Sequence, residues 1–283
     1  MSKFIDLHTH STCSDGTLSP TALVNHAADR KLTAIALTDH DTVSGVSEAL
    51  AQGRIRGIEV VPGIEVSSNY SDTSLHILGY GIDHQDHNFV KFVIDLQQAR
   101  HTRNLGILDR LQQMGIPIEQ EELDHLAGDQ VGRPHFAELL VKKGVVNTFQ
   151  DAFTGYLKRG CPAFVEHARP QASEVIAQIS SAGGLAMLAH PVCIDPSFAS
   201  IPSLVGNLKQ HGLDGLEAYY PSHSNKNTKA LKQLADDHNL LVCGGTDFHG
   251  NNRSSTPLGG NKKTIRISSE ILEKIKQRLD ASG

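Results

Sequence analysis

Two histidines one residue apart, His8 and His10, follow the apolar lead of Phe4, Ile5 and Leu7. On an extended strand residues i and i+2 face the same side, so both imidazoles address one point. Asp15 stands just beyond, in a Ser-, Thr- and Gly-rich loop able to fold back to it. Two imidazoles and a carboxylate converging at a strand end are the start of a metal site. The same design recurs downstream. Short apolar runs lead into or carry His40, Glu65, His76 and His190, and a last one ends in Asp247 and His249. These nitrogen and oxygen donors outnumber the about four to six positions of one ion and suit two or three. With no thiolate among them, the set favours Mn²⁺, Fe²⁺ or Zn²⁺ in a reactive site over a structural zinc. Clustered divalent ions make water acidic and clamp phosphoryl oxygens, which is the chemistry of phosphoester hydrolysis.

The elements that must position these donors alternate. Apolar runs at 34–37, 59–66, 75–80, 184–189, 213–219 and 240–243 read as strands, with a last strand at 263–267. Ser19-Pro20 is a helix start, Ser as cap and Pro at the first helical position. Further helices are expected at 43–56, 170–182, 203–211, 222–238 and 269–279. Strands alternating with helices predict a parallel sheet, and about seven strands predict a distorted (β/α)₇ TIM-like barrel. The C-terminal strand ends of such a barrel meet at one mouth, where its chemistry sits. Pro62-Gly63 inside the third strand predicts a bulge or a twisted edge.

Between 86 and 164 the pattern is helical, with helices expected from 89 through 111 and at 119–126, 134–142 and 148–156. Gly115, Gly128, Gly132, Gly144 and Gly160 punctuate them, and a strand is expected only at 163–165. The reading is a barrel from 1–85 and 165–283, with 86–164 as a helical insertion capping the site. The insertion carries candidate substrate-binding cations: Arg103, Arg133, Lys158 and Arg159, with His135 beside Arg133. Arg suits bidentate phosphate contact, and Gly132 and Pro134 fix Arg133 at a helix start.

Composition narrows the classes. The 283 residues carry a net charge of −5, which argues against broad binding to duplex nucleic acid. No apolar run reaches the roughly 20 residues of a membrane span, and no signal peptide is visible. The four cysteines form no C-x-x-C pair and read as reduced thiols of a cytoplasmic protein, Cys13 among them as a bystander. No obligate protein partner is implied. His26, His84, His87, His101, His125, His211, His223 and His238 read as surface or helix-end residues, and His167 lies nearer the site. Asp6 and Asp39 each precede a ligand and are expected to orient imidazoles.

His8-Thr9-His10 with Asp15, Thr38-Asp39-His40, Gly63-Ile64-Glu65, His76, Ala189-His190-Pro191 and Thr246-Asp247-Phe248-His249 resemble the ordered motifs of the polymerase and histidinol phosphatase (PHP) superfamily. The resemblance implies the distorted barrel, a trinuclear metal site and phosphoester hydrolysis. Carried over by motif, His8, His10, Glu65 and Asp247 would hold one ion. Asp15, His40 and His249 would hold a second, and Glu65, His76 and His190 a third, with Glu65 bridging and Mn²⁺ the first choice of metal. Gly132-Arg133-Pro134-His135 further resembles a stand-alone bacterial branch of 3′,5′-nucleoside bisphosphate phosphatases and 5′→3′ exoribonucleases. The expected substrate is a pAp-like bisphosphonucleotide, one phosphate on the metals and the other on the insertion's cations. Short 5′-phosphorylated single-stranded RNA is the alternative. Histidinol phosphate and a catalytically silent module rank below both.

Overall fold

The computed structural model describes residues 3–126, 130–166, 168–253, 256–261 and 264–282. His167, Gly128 and the start of the expected last strand at Lys263 lie outside the described residues. Eight strands are present: β1 (Phe4–Thr9), β2 (Ala34–Leu37), β3 (Glu59–Tyr70), β4 (Thr73–Tyr80), β5 (Leu185–Leu188), β6 (Gly215–Tyr219), β7 (Leu241–Gly244) and the two-residue β8 (Ile267–Ser268). They form one sheet in the order β7-β6-β5-β4-β3-β2-β1-β8. The row curls into a nearly closed barrel because the chain after β7 returns to β1. Thr9 bridges Phe248, and the His10 amide donates to the Phe248 carbonyl at 2.9 Å. A side chain at Gly245 would collide with the backbone and Cβ of His8, so glycine is what lets this segment close on β1.

Apolar runs without alternation mark strands covered on both faces, and β2 and β5 are buried throughout. Two of the helices that flank the site begin at side-chain caps. Ser19 Oγ accepts from the Ala22 amide at 3.2 Å with Pro20 at the first turn, and Asp86 accepts from the Phe89 amide at 2.8 Å.

The sheet is not uniformly parallel. β1–β2–β3 and β5–β6–β7 are parallel triplets, whereas β4 runs antiparallel to both β3 and β5. The reason is local. Only Ser71 and Asp72 separate β3 from β4, and Ser71 adopts φ 52°, which makes a hairpin instead of a helical crossover. Pro62-Gly63 is neither bulge nor edge, since β3 lies inside the sheet. Pro62 is the last residue paired with β2 and Gly63 the first paired with β4, so the dipeptide marks the change of partner.

Between β4 and β5 lie the long helix His87–Gln113, the helices Gln120–Leu126, Arg133–Lys142 and Phe149–Ala152, and the π-helical turn Phe153–Leu157. The expected strand at 163–165 is turn and coil. Among the described residues no strand pairs with it, the Arg110 guanidinium donates to the Phe164 carbonyl, and Ala163 packs among helices. The long helix serves two cores. Phe89, Val93 and Leu96 pack with the barrel strands, while Ile107, Leu108 and Leu111 pack with Phe136, Leu139, Leu140 and Leu157. Phe136→Ala should therefore cost about 3–5 kcal/mol. Hydrogen exchange should show the lost protection concentrated between residues 107 and 165, with the barrel strands keeping theirs.

Candidate metal centre

Glu65 is fully buried in the middle of β3, and five imidazoles surround its carboxylate. Its Oε2 lies 3.2 Å from His8 Nε2, 3.3 Å from His10 Nε2 and 2.9 Å from His40 Nδ1. Its Oε1 lies 2.8 Å from His76 Nδ1 and 3.0 Å from His190 Nε2. Asp247 Oδ1 approaches His10 Nε2 at 3.1 Å and His8 Nε2 at 3.5 Å. His249 Nε2 lies 3.1 Å from Asp15 Oδ1. All nine donors named from sequence thus meet at one mouth. Glu65 and His76 do so from within strands, not from strand ends. The antiparallel course of β4 brings His76 opposite Ser67, level with the ends of the parallel strands.

The donors fit divalent ions. His8 Nε2, His10 Nε2, His40 Nδ1 and Glu65 Oε2 are buried and close together, yet none makes a hydrogen bond. Polar atoms so placed demand a cation between them. Separations of 2.9–3.3 Å approach the about 3.4 Å between two donors bound tetrahedrally at about 2.1 Å. Three overlapping groups have ligand geometry: His8, His10, Glu65 and Asp247; His10, Asp15, His40 and His249; and His40, Glu65 and His76. The first coincides with the set expected from sequence. His10 joins the second, and His40 stands in the third where His190 was expected, although His190 still reaches Glu65 Oε1.

Without cations, protons do this work. Burial raises the pKa of Glu65, but the electrostatic influence of the His40, His76 and His8 imidazoles around it outweighs this and holds the carboxyl well below its usual range. For His10 burial favours the neutral ring, but the close carboxylates of Asp247 and Glu65 override it and push the pKa up to about 9. His76 goes the other way, to about 4, because burial and the charges of His40 and His190 outweigh Glu65. The backbone is also bent to the task. Asp41, His190 and Asp247 take φ values of 51°, 29° and 53°, a region side chains rarely adopt and one that clusters at functional sites.

Orientation of the ligands comes from residues not picked out in sequence. Glu217, fully buried on β6, accepts from His8 Nδ1 at 3.0 Å and from the His190 amide at 2.8 Å. An acidic residue inside the apolar strand 215–219 was the available signal. The Tyr220 hydroxyl donates to Asp247 Oδ2 at 2.8 Å. Asp6 and Asp39 orient no imidazole. Asp6 accepts from the amides of Thr246 and Gly259 at 2.9 and 2.8 Å, and Asp39 accepts from the hydroxyls of Ser11 and Ser14, both at 2.6 Å. They pin the ligand-bearing loops instead. His223, expected at the surface, is buried, with its ring 5.2 Å from Tyr220.

The mouth opens into a cavity of about 490 Å³ that also exposes Arg100, Arg103, Arg133 and Arg169. Arg103 and Arg133 were named from sequence; Arg100 and Arg169 were not. Arg169-Pro170 repeats the Arg-Pro pattern that drew attention to Arg133-Pro134. Arg100 looked like part of a helix face. It pairs with the buried Asp41, and its Nη2 donates to Ser67 Oγ at 2.9 Å, tying the long helix to the His40 loop and β3. Burial first, then mutual repulsion among the guanidiniums, lowers the pKa of Arg103 strongly and pushes Arg133 down to about 10. Nε and Nη2 of Arg103 are buried without hydrogen-bond partners. Such a cluster calls for an anion.

The other expected cations do not line this cavity. His135 is buried, and its Nδ1 accepts from the Gly132 amide at 2.9 Å, which fixes the helix start behind Arg133. Lys158 and Arg159 line a neighbouring cavity of about 370 Å³, which touches the first through Arg133 and Arg169. Arg159 lies 3.4 Å from Glu166.

Two measurements test the centre. Because His10 without metal keeps its proton up to about pH 9, ion uptake must displace it. Calorimetry of Mn²⁺ binding in two buffers of different ionisation enthalpy should show proton release at pH 7.5, and affinity should climb with pH towards 9. Glu217→Gln should weaken metal affinity roughly 10–100-fold through misorientation of His8. Chelator competition measures the loss, and an unchanged affinity contradicts the orienting role.

A family model described as the PHP domain matches residues 6–238. A Haemophilus influenzae protein named 5′-3′ exoribonuclease is 36% identical over 250 residues, covering 88% of this chain and 91% of the relative. A Chromobacterium violaceum protein named 3′,5′-nucleoside bisphosphate phosphatase is 32% identical over 287 residues, 97% of each chain. A solved structure described as an amidohydrolase from Chromobacterium violaceum, with bound sulfate and no metal, superposes with a TM-score of 0.86 at 30% identity. It covers 98% of this chain and 96% of its own. Among the described residues no helix is long and apolar enough to cross a membrane.

Proposed function

Because the chain belongs to the PHP domain family, we propose that it is a metal-dependent phosphomonoesterase removing the 3′-phosphate from 3′,5′-bisphosphonucleotides such as pAp. The observation that carries this reading is one cavity whose wall holds both metal-ligand side chains (Asp15, His40, His76, His249) and four guanidiniums. A single phosphate needs one of these features; a molecule with two anionic ends uses both. The cavity's size suits a mononucleotide.

In this reading His8, His10, Glu65 and Asp247 hold one ion, Asp15, His40 and His249 a second, and Glu65, His76 and His190 a third, Mn²⁺ being the preferred metal. Bound there, divalent ions supply charge to neutralise phosphoryl oxygens and acidity to activate water near neutral pH. The chain's own part is positioning. Glu217 and Tyr220 hold His8 and Asp247 in register. Arg103 and Arg133, assisted by Arg169, grip the 5′-phosphate and so align the 3′-phosphate over the donor cluster. Arg100 is engaged by Asp41 and supports the others with its charge. The helical stretch 86–164 acts as the substrate-binding cap. The name of the Chromobacterium violaceum relative supports this assignment.

A second reading has support of its own, since the Haemophilus influenzae relative is named an exoribonuclease. The same arginines would then anchor the 5′-phosphate of a short RNA, and the bond cut would be the diester on its 3′ side.

Phosphate release from pAp, 3′-AMP and 5′-AMP with Mn²⁺, beside cleavage of 5′-phosphorylated oligoribonucleotides, separates the two. The expected order is pAp far above either monophosphate, and Arg133→Ala should raise KM for pAp about tenfold or more. Equal rates on pAp and 3′-AMP rule out the two-anion reading.

A further inference from the structure

Ions and arginines account for the two phosphates, but the same cavity has a third kind of wall. Phe149, Gln150 and Phe153 line it. The chain contains no tryptophan, nine phenylalanines and five tyrosines, so two aromatics at one opening need a reason. Their ring centroids are 6.0 Å apart with planes 35° off parallel. Phe153 is braced against the core of the helical segment, whereas no apolar cluster among the described residues includes Phe149. Its side of the pair stays 37% exposed.

The mounting is rigid. Thr148 Oγ1 accepts from the Asp151 amide at 3.1 Å and Asp151 Oδ2 accepts from the Thr148 amide at 3.0 Å, which fixes the start of the short helix. Buried Ala152 and Leu157 pin its underside. The π-helical turn Phe153–Leu157, closed by the Lys158 amide on the Phe153 carbonyl at 2.9 Å, follows directly, and such turns are frequent at functional sites. An exposed ring on a capped mount, in a cavity whose opposite walls carry guanidiniums and metal-ligand side chains, suits a flat and neutral ligand group.

We propose that Phe149, braced by Phe153, is the stacking platform for the nucleobase of a 5′-phosphorylated nucleotide, with Gln150 reading the base edge. The assignment rests on the two-anion reading above and adds the third recognition element. Stacking accepts any base because every base has a π face, so the platform selects nucleotides over other phosphoesters without selecting a particular one. Gln150, exposed beside the rings, offers an amide donor and a carbonyl acceptor for a modest preference.

Two experiments decide it. In the first, KM is measured for pAp and for its abasic analogue, 1-deoxyribose 3,5-bisphosphate, with wild type and Phe149→Ala. The ratio of the abasic KM to the pAp KM should fall about tenfold or more in the variant; an unchanged ratio overturns the platform. The 5′-phosphorylated dinucleotide pApA should lose as much as pAp, and wild-type kcat/KM for the two tells whether the base belongs to a free nucleotide or to the first unit of a chain. In the second, Phe149→Trp creates the only tryptophan in the Mn²⁺-loaded protein. Its fluorescence should be quenched by 5′-AMP and not by ribose 5-phosphate, and equal responses to both would falsify stacking. The preference of wild type for pAp over 3′-AMP tests the arginines alone, so failure of the two-anion reading and failure of the platform are told apart.

Discussion

Everything in this molecule answers to one buried carboxylate. Glu65 has no access to solvent, and a charge so placed survives only with opposite charge packed around it. The chain supplies five imidazoles within 3.3 Å. Imidazoles are a conditional answer, since each can carry a proton or take a cation in its place. That duality makes the cluster a metal centre in waiting instead of a static salt-bridge network. It also explains the mixed sheet. Five rings reach one carboxylate only if strands from both sides of β3 deliver them at one level, and the antiparallel β4 is what raises His76 there.

A second electrostatic constraint stands against the first. Burial, and then repulsion from neighbouring guanidiniums with Arg100 acting on all three, lowers the proton affinity of Arg103, Arg133 and Arg169. Arg100 pairs directly with the buried carboxylate of Asp41, a residue that also holds the Ser67 amide at 2.7 Å. Anion-seeking and cation-seeking groups therefore share one cavity, kept apart by the fold. Divalent ions would relieve the carboxylate side and an anion the guanidinium side; in the reading proposed above, one phosphate meets the ions and the other the arginines.

Much of this was legible in the residues. The nine donors stood out because imidazole and carboxylate recur after short apolar runs, and a barrel sends such positions to one mouth. Helix starts at Ser19 and the barrel's later βα units were legible for the same reason: capping and periodicity are local. What escaped was what depends on partners distant in sequence. The direction of β4 turns on a two-residue hairpin that apolar pattern alone does not reveal. Glu217 looked like an interruption in a strand until His8 was seen against it, and Arg100 like one more helical residue until Asp41 faced it. Lys158 and Arg159 had suitable chemistry in the right segment, but they face a neighbouring cavity. Phe149 carried no signal at all, because an aromatic residue in a helix ordinarily means core.

The long helix His87–Gln113 carries one further meaning. At about 1.5 Å per residue it runs some 40 Å, its first turns embedded in the barrel and its last in the helical segment. Arg100 clamps it to the ligand loop near its midpoint. The two cores share this beam and the hydrogen bond from Gln130 Nε2 to the His40 carbonyl at 2.9 Å, which joins the helical segment to the ligand loop. In the proposed reading most metal ligands lie on the barrel side of the beam, while Arg103 and Arg133 come from the helix and the segment beyond it. Changes beyond Arg103 would alter Arg133 and the aromatic wall of the cavity while leaving the donor cluster and its strained backbone in place.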